Sequence, residues 1–307
     1  MNMYQKRKIR KEKRENSNQN EKFHKVVLNW YPGHMAKTKR QIKENISLID
    51  IVYELIDARI PYSSKNKDID EMIKNKPRIL IMTKMDMCDL EETNKWKKYY
   101  EDKGYKVVMV DLLNNKNIKE IFNITEDIIK KENIKRKEKG LKERKGRVLV
   151  LGIPNVGKST LINRLVGKKV TNVGNKPGIT KSLSWIRVND KIELLDTPGI
   201  LWPKLDNEEI SLNLASMSAI KEEILDTSVI ATHIVSKMQK NYPINLYDRY
   251  NLVEGINDIG NFRFEVIYTP GHRNDLVTYY FYEDNIMFTG DFLFRNSIGR
   301  TDLEYSN

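Results

Sequence analysis

One short stretch limits the possible folds of this chain more than any other. Gly152-Ile153-Pro154-Asn155-Val156-Gly157-Lys158-Ser159-Thr160 fits the pattern G-x-x-x-x-G-K-[ST] without a mismatch. Arg147 to Leu151, just before it, reads as a buried strand, and Ser159 to Leu165 opens a helix. A glycine-rich loop between a strand end and a helix N-terminus gathers backbone N–H groups and the helix dipole onto an anion. Gly152 and Gly157 let the backbone wrap a phosphate chain that a Cβ would block. Lys158 is then placed to reach the β and γ phosphates, and the Ser159 hydroxyl to ligate magnesium.

The rest of the pattern alternates strands with helices. Ile49 to Ile56, Arg78 to Met82, Lys106 to Val110 and Lys191 to Leu195 read as strands, with helical stretches between them. That alternation predicts an α/β fold with a parallel sheet and ligands at the strand C-termini. Two strand ends carry further chemistry. Asp196-Thr197-Pro198-Gly199 follows one strand, so Asp196 is the expected second magnesium anchor and the Gly199 N–H is placed to meet the γ phosphate. Thr180 lies between Ser159 and Asp196, where a switch threonine would complete the metal shell.

Thr83-Lys84-Met85-Asp86 follows another strand and decides the base. The Asp86 carboxylate can accept both N1–H and N2–H of guanine and would repel the N1 lone pair of adenine, so it argues for GTP over ATP. The usual first residue of such a motif is Asn; Thr83 is expected to weaken a loop-to-loop hydrogen bond more than the base readout. In ordinary GTPases the base-reading motif follows the phosphate loop, whereas here Asp86 precedes Lys158. The same sheet can be built from permuted strands because termini and linkers lie on the surface.

Composition bears on partners. The 307 residues carry 54 Lys and Arg against 42 Asp and Glu, a net +12, which suggests a polyanionic partner. Residues 1–14 hold seven basic side chains against Glu12 alone and read as a disordered basic extension, either a nucleic-acid arm or a solvated tail. Lys130 to Arg147 holds ten Lys and Arg against three Glu; it is either a nucleic-acid contact or a solvated helix face. The single cysteine, Cys88, excludes an internal disulfide framework and fits a reducing compartment. No apolar run approaches the ~20 residues needed to span a bilayer, and no export signal is visible, so the expected location is the cytoplasm, away from membranes.

Near the N-terminus, Trp30-Tyr31-Pro32-Gly33-His34-Met35 precedes a basic helix over Lys37 to Ile46, and on residue type alone His34 reads as structural. This motif, Asp57-Ala58-Arg59-Ile60-Pro61, Thr83 to Asp86, the phosphate loop, Pro177 to Thr180 and Asp196 to Ile200 occur in one fixed order. In that order the chain resembles the circularly permuted ribosome biogenesis GTPase A (YlqF/RbgA) family over about residues 27 to 252. The resemblance implies a GTPase that hydrolyses GTP to GDP and phosphate late in assembly of the large (50S) ribosomal subunit, stimulated by that subunit and binding its rRNA. It implies Mg2+, and a potassium ion held with the help of Asn155. It places Ile200 where other GTPases hold a water-orienting glutamine, and it makes His34, with Lys158 and Thr180, a catalytic residue that positions the attacking water.

The implied nucleotide contacts are Thr83, Lys84, Asp86, Asn155, Val156, Gly157, Lys158, Ser159, Thr160 and Gly199, and the implied metal ligands are Ser159, Thr180 and Asp196. At Asp111-Leu112-Leu113 the family has a serine-bearing motif whose backbone N–H meets the guanine O6; Leu112 keeps the N–H and loses the hydroxyl. A family enzyme of this kind is expected to be a monomer off the ribosome.

The family pattern stops near Tyr250. Glu208 to Leu225 and Ser228 to Gln239 read as helices of a shortened C-terminal helical domain. From about Gly255 a strand-rich segment containing Thr269-Pro270-Gly271-His272 and Thr289-Gly290-Asp291 resembles an interior piece of a metallo-β-lactamase-fold hydrolase of the glyoxalase II type. There the residues matching His272 and Asp291 bind metal. The chain has only four histidines and lacks the upstream H-x-H-x-D-H cluster; two ligands cannot hold a catalytic zinc that needs at least three. The expected organisation is therefore a basic extension over 1–24, a permuted P-loop GTPase domain over 25–204, a truncated helical domain over 205–253 and a β-rich hydrolase-like fragment over 254–307. Rival readings are a nucleotide-binding rRNA placeholder without effective turnover and a metal-dependent hydrolase acting through the fragment.

Overall fold

A computed structural model describes residues 33–73, 76–171, 183–201, 207–220, 227–250, 255–259, 262–269, 277–282, 285–289, 293–294 and 297–298. The chain forms two compact units, residues 1–224 and 225–307. Among the described residues no helix is long and apolar enough to cross a membrane.

In the first unit the strands are β1 (Ile51–Asp57), β2 (Arg78–Thr83), β3 (Lys106–Met109), β4 (Gly146–Gly152), β5 (Ser184–Arg187) and β6 (Ile192–Asp196). They form one sheet in the order β3-β2-β1-β4-β6-β5. Every pairing is parallel except that of β5 with β6. The helices are α1 (Gly33–Asn45), α2 (Pro61–Ser64), α3 (Lys67–Met72), α4 (Leu90–Asp102), α5 (Ile118–Glu138), α6 (Lys158–Val166) and α7 (Glu208–Ser216). The phosphate-loop strand β4 sits beside β1, the strand that opens the unit, so the chain enters the sheet at its centre. The switch strand β6 lies on the other side of β4, and the base-motif strand β2 lies beyond β1. The permutation therefore keeps all three ligand-bearing strand ends on one edge of the sheet.

The strands are apolar because helices cover both faces of a parallel sheet. All seven residues of β1 are buried. Its one internal charge, Glu54, faces Arg78 at 3.0 Å and Lys65 at 3.4 Å, and both cations also pair with Asp70. Burial raises the Glu54 pKa against the pull of these cations. On one side of the sheet, Ile42 of α1 packs with Ile49, Val52, Ile69, Ile73, Leu149, Leu151, Leu195 and Ile200.

One helix ends before its sequence suggests. Glu208 to Leu225 reads as continuous, yet α7 stops at Ser216. Ser218 takes a left-handed backbone, φ +55, and the turn closes through Ser218 N–H to Ala215 O (2.8 Å) and Ala219 N–H to Leu214 O (2.9 Å). This is the reversal that glycine usually makes, and no glycine marks it here.

The second unit holds α8 (Thr227–Asn241), α9 (Pro243–Tyr250) and β7 (Gly255–Ile259), β8 (Phe262–Tyr268), β9 (Val277–Phe281) and β10 (Ile286–Phe288), which form an antiparallel sheet in the order β10-β9-β8-β7. Leu246 of α9 packs with Phe264, Val266, Val277 and Tyr279 of this sheet. Gln239 of α8 donates to the carbonyls of Val277 (2.8 Å) and Phe288 (3.2 Å). Two short strands, β11 (Leu293–Phe294) and β12 (Ser297–Ile298), pair with each other.

Candidate functional site

The phosphate loop runs from the end of β4 into α6. Gly157 precedes the helix with φ +103, a conformation that side chains other than glycine rarely adopt. A Cβ on Gly152 would lie 2.7 Å from the Leu55 carbonyl oxygen of β1, so this glycine sets how closely the loop approaches the central strand. Lys158 is buried and donates to the loop carbonyls of Gly152 (3.1 Å) and Ile153 (2.7 Å). Burial lowers its pKa to about 8, against an opposing pull from Asp196.

The switch strand places its chemistry beside this loop. Asp196 is 1 % exposed, and its Oδ1 has no hydrogen-bond partner among the described residues. Burial raises its pKa against the Lys158 charge and the Thr197 backbone hydrogen bond. A desolvated, unpartnered carboxylate oxygen is what a magnesium shell would use, so the donor set fits that metal. Thr197 donates to Val150 O at 2.7 Å, and Ile200 N–H donates to Gly152 O at 3.1 Å. A Cβ on Gly199 would stand 2.6 Å from both the nitrogen and the Cα of Pro154, so only glycine allows this contact between the switch and the loop. Ile200 turns into the core cluster at 3 % exposure, so its side chain offers nothing to a water at the phosphate.

The base motif is tied to the same loop. Thr83 Oγ1 donates to Val156 O at 2.6 Å, and Thr83 is fully buried. The hydroxyl thus supplies a short loop-to-loop hydrogen bond that the sequence reading expects to be weakened. Lys84 adopts φ +61, and its Nζ reaches Asp57 Oδ2 at 2.9 Å. Asp57 also accepts from Arg59 through Nε (2.9 Å), Nη2 (2.8 Å) and the backbone N–H (3.1 Å). Burial would raise the Asp57 pKa, but the Arg59 and Lys84 contacts outweigh it and lower the pKa. Asp86 stands exposed on the short turn Met85–Met87. Leu112 is buried near Gly157, 3.3 Å from where a Cβ on that glycine would be, and Arg164 of α6 holds the Leu112 carbonyl at 2.9 Å. Three loops, after β2, β3 and β4, are thereby fastened to one another.

Asn155 takes a left-handed backbone, φ +56, and its Nδ2 donates to Ser218 O at 2.6 Å. The phosphate loop is therefore joined to the turn after α7. Asn213 of α7 also reaches Ser63 of α2 at 3.0 Å, and Asn66 reaches the Ile200 carbonyl at 3.3 Å. The sequence reading assigns no role to Asp57, Arg164 or Ser218. A carboxylate at the end of β1 was the one available signal, because β1 adjoins both the base-motif strand and the phosphate-loop strand.

The structure brings together Thr83, Lys84, Asn155, Val156, Gly157, Lys158, Asp196 and Gly199 through these bonds and contacts, with Ser159 and Thr160 in the first turn of α6. His34 is the second residue of α1, and its side chain lies outside the described residues, as does all of Thr180. His272 and Asp291 also lie outside them. Among the described residues no group of three or more His, Cys, Asp or Glu is placed to hold a metal ion.

Comparison with known proteins identifies the family. The model of the 50S ribosome-binding GTPase family matches residues 147–254, and that of the metallo-beta-lactamase superfamily matches residues 218–307. Ribosome biogenesis GTPase A of Bacillus licheniformis is 44% identical over 229 residues, covering 75% of this chain and 81% of that protein. The Thermotoga maritima protein of the same name is 33% identical over 199 residues, covering 65% and 69%. Mitochondrial ribosome-associated GTPase 1 of Ictalurus punctatus is 36% identical over 244 residues, covering 76% and 75%. Identity of this depth over three quarters of the chain means that the chain belongs to the ribosome biogenesis GTPase A family.

Proposed function

We propose that this chain hydrolyses GTP to GDP and phosphate during assembly of the large (50S) ribosomal subunit, that the subunit and its rRNA stimulate the reaction, and that it works in the cytoplasm as a monomer when off the ribosome. GTP hydrolysis and a part in ribosome biogenesis are what membership of the family carries; the 50S subunit as partner, the stimulation and the roles of single residues are our reading. The observation that supports it best is the fastening of the base motif to the phosphate loop by Thr83 and Val156, with buried Lys158 and Asp196 beside it.

In this reading Asp86 selects guanine, and the Lys84 stem supports the ring while Asp57 holds its ammonium. The N–H groups of Asn155 to Thr160 and the Lys158 ammonium receive the phosphates, which requires Lys158 to leave the Gly152 and Ile153 carbonyls. Gly199 N–H meets the γ phosphate. Ser159, Thr180 and Asp196 would hold Mg2+, which supplies charge compensation between the β and γ phosphates. Asn155 would help to hold K+ in the place of an arginine finger. Phosphoryl transfer needs a placed water more than a strong base. With Ile200 buried in the core, His34 on α1 is assigned to place that water. Helix α1 packs through Ile42 into the same cluster as Ile200, which joins the helix bearing the histidine to the switch.

Single-turnover hydrolysis with and without large subunits, in potassium and in sodium, tests the reading. The expected result is stimulation by the subunits, with faster turnover in potassium. A protein that binds GTP yet shows no stimulation in either salt would instead be a nucleotide-binding placeholder.

A further inference from the structure

We infer that the C-terminal half of α5 and the reversal that follows it form a rigid basic finger that docks on the phosphate backbone of double-helical RNA, at the end of the sheet opposite the nucleotide site. The inference rests on the proposed ribosomal role and names one surface through which that role is exercised.

The charge distribution argues first. Residues 1–14 carry +6 and residues 130–147 carry +7, so the remainder of a chain of net +12 is close to neutral at −1. A general richness in lysine would spread the excess; here it is concentrated in two segments, and the second spans the end of α5, the reversal after it and the start of β4.

The helix argues next. Ile129 is the last buried residue of α5, yet the helix continues to Glu138, more than two turns with no core to cover. Apolar packing therefore does not account for this extension, whereas presentation of its side chains does. Lys130, Lys131, Lys135, Lys137, Lys139 and Lys142 are all exposed. Lys130 and Lys135 pair weakly with Asp127 (3.9 Å) and Glu132 (2.8 Å) one turn away, while Lys131, Lys137, Lys139 and Lys142 have no ion-pair partner among the described residues.

The reversal is fixed by its own hydrogen bonds. Gly140, at φ +69, donates to Lys137 O (2.9 Å), and Leu141 N–H donates to Arg136 O (2.9 Å). Arg136 Nε reaches Lys142 O (3.2 Å), and Asn133 brackets Arg144 through both its amide nitrogen and its oxygen (3.2 and 3.3 Å). The cations therefore stand on a preformed frame, which lowers the ordering cost of docking. Lys106 and Lys191, which lie at the same end of the sheet, line open grooves on either flank of the finger. The seven residues of β4 put the finger about 20 Å from the phosphate loop, so docking there leaves the nucleotide site open.

The type of nucleic acid follows from what the finger lacks. From residue 123 to 147 there is no Phe, Tyr, Trp or His on which an unpaired base could stack. A surface of lysines without aromatics reads phosphates and helix shape rather than sequence.

The test uses the full chain and a fluorescein-labelled RNA duplex of about 20 base pairs, followed by anisotropy over a salt series. The variant Lys131→Gln/Lys137→Gln/Lys139→Gln/Lys142→Gln is compared with the wild type and with Lys95→Gln/Lys98→Gln/Lys103→Gln/Lys116→Gln, which removes equal charge elsewhere. The finger variant should bind the duplex at least tenfold more weakly at 100 mM salt, and the slope of log K against log salt should fall by about three to four, a little under one unit for each of the four lost phosphate contacts. The control variant should lose no more than about twofold, and fluorescent GDP should bind all three proteins alike. Equal losses in both variants would reduce the finger to net charge alone and overturn the inference. So would undiminished duplex binding, including the case in which the finger variant loses binding to phosphatidylglycerol vesicles instead, which would reassign the surface to a lipid headgroup partner. Failure of the wild type to bind GDP would count against the GTPase reading and not against the finger.

Discussion

The hydroxyl of Thr83 ties the end of β2 to the phosphate loop. Thr83→Val keeps the shape and deletes the 2.6 Å hydrogen bond to Val156 O. The hydroxyl has one proton, and the shorter of its two contacts takes it; the Ile56 carbonyl stands farther off, at 3.2 Å. Both partners are buried, with Thr83 at 0 % and Val156 at 1 % exposure. A buried carbonyl left without its donor costs about 1–3 kcal/mol, and the added methyl group returns about 0.8 kcal/mol, so the net loss of stability is about 0.2–2.2 kcal/mol. Val156 also precedes the loop N–H groups of Gly157 and Lys158, so freeing its carbonyl loosens them. Affinity for GDP should therefore fall about three- to tenfold, equivalent to 0.6–1.4 kcal/mol. Thr83→Ser is the matched control: it keeps the bond and loses a buried methyl, so it should cost about 1 kcal/mol of stability with little effect on GDP. All four tryptophans lie in the first unit, so tryptophan emission, excited beyond the tyrosine absorption band, reports on that unit alone during urea unfolding. Titration with a fluorescent GDP supplies the second measurement. If Thr83→Val bound GDP as tightly as the wild type, the hydrogen bond would be a structural ornament and the coupling of base loop to phosphate loop would be refuted.

Further outcomes follow from the same contacts. Asp57→Asn and Lys84→Met should each weaken GDP binding about tenfold while the double variant is little worse than either, because both act through one charge-assisted hydrogen bond; additive losses in a double-mutant cycle would break that link. Since the contacts of Asp57 lower its pKa in the folded state, it contributes stability above the unfolded carboxylate pKa of 3.8 that is lost as pH falls through the folded value; urea midpoints of wild type and Asp57→Asn should therefore converge in acid. Gly199→Ala would drive a Cβ into the Pro154 backbone 2.6 Å away, and stopped-flow phosphate release should slow by at least about tenfold while the second unit, observed by its own far-UV melting step, stays folded. Elemental analysis of the purified chain should find well under one zinc per molecule, and a stoichiometric content would revive the hydrolase reading of residues 255–307.

Local chemistry made the centre of the site legible in the sequence. A phosphate loop needs glycines, a lysine and a hydroxyl at fixed spacing because nearby backbone atoms do the binding, so Gly152 to Thr160 could be assigned from the order of residues alone. The Asp86 and Asp196 motifs were legible for the same reason, each at the end of an apolar run of strand length, and the order of the motifs along the chain disclosed the permutation. Contacts between distant segments left no such trace. No spacing rule reveals that the Thr83 hydroxyl meets a carbonyl 73 residues away, that Asp57 restrains Lys84 across adjacent strands, or that Ser218 ends α7 with its carbonyl on Asn155. Nor does the identity of Ile200 show that its side chain joins the core instead of facing the phosphates. Residue types and their spacing thus determined which nucleotide this protein is built to hold. The tertiary structure decided how firmly the loops are fastened and where the basic charge is displayed, because both depend on which strands lie side by side in the sheet.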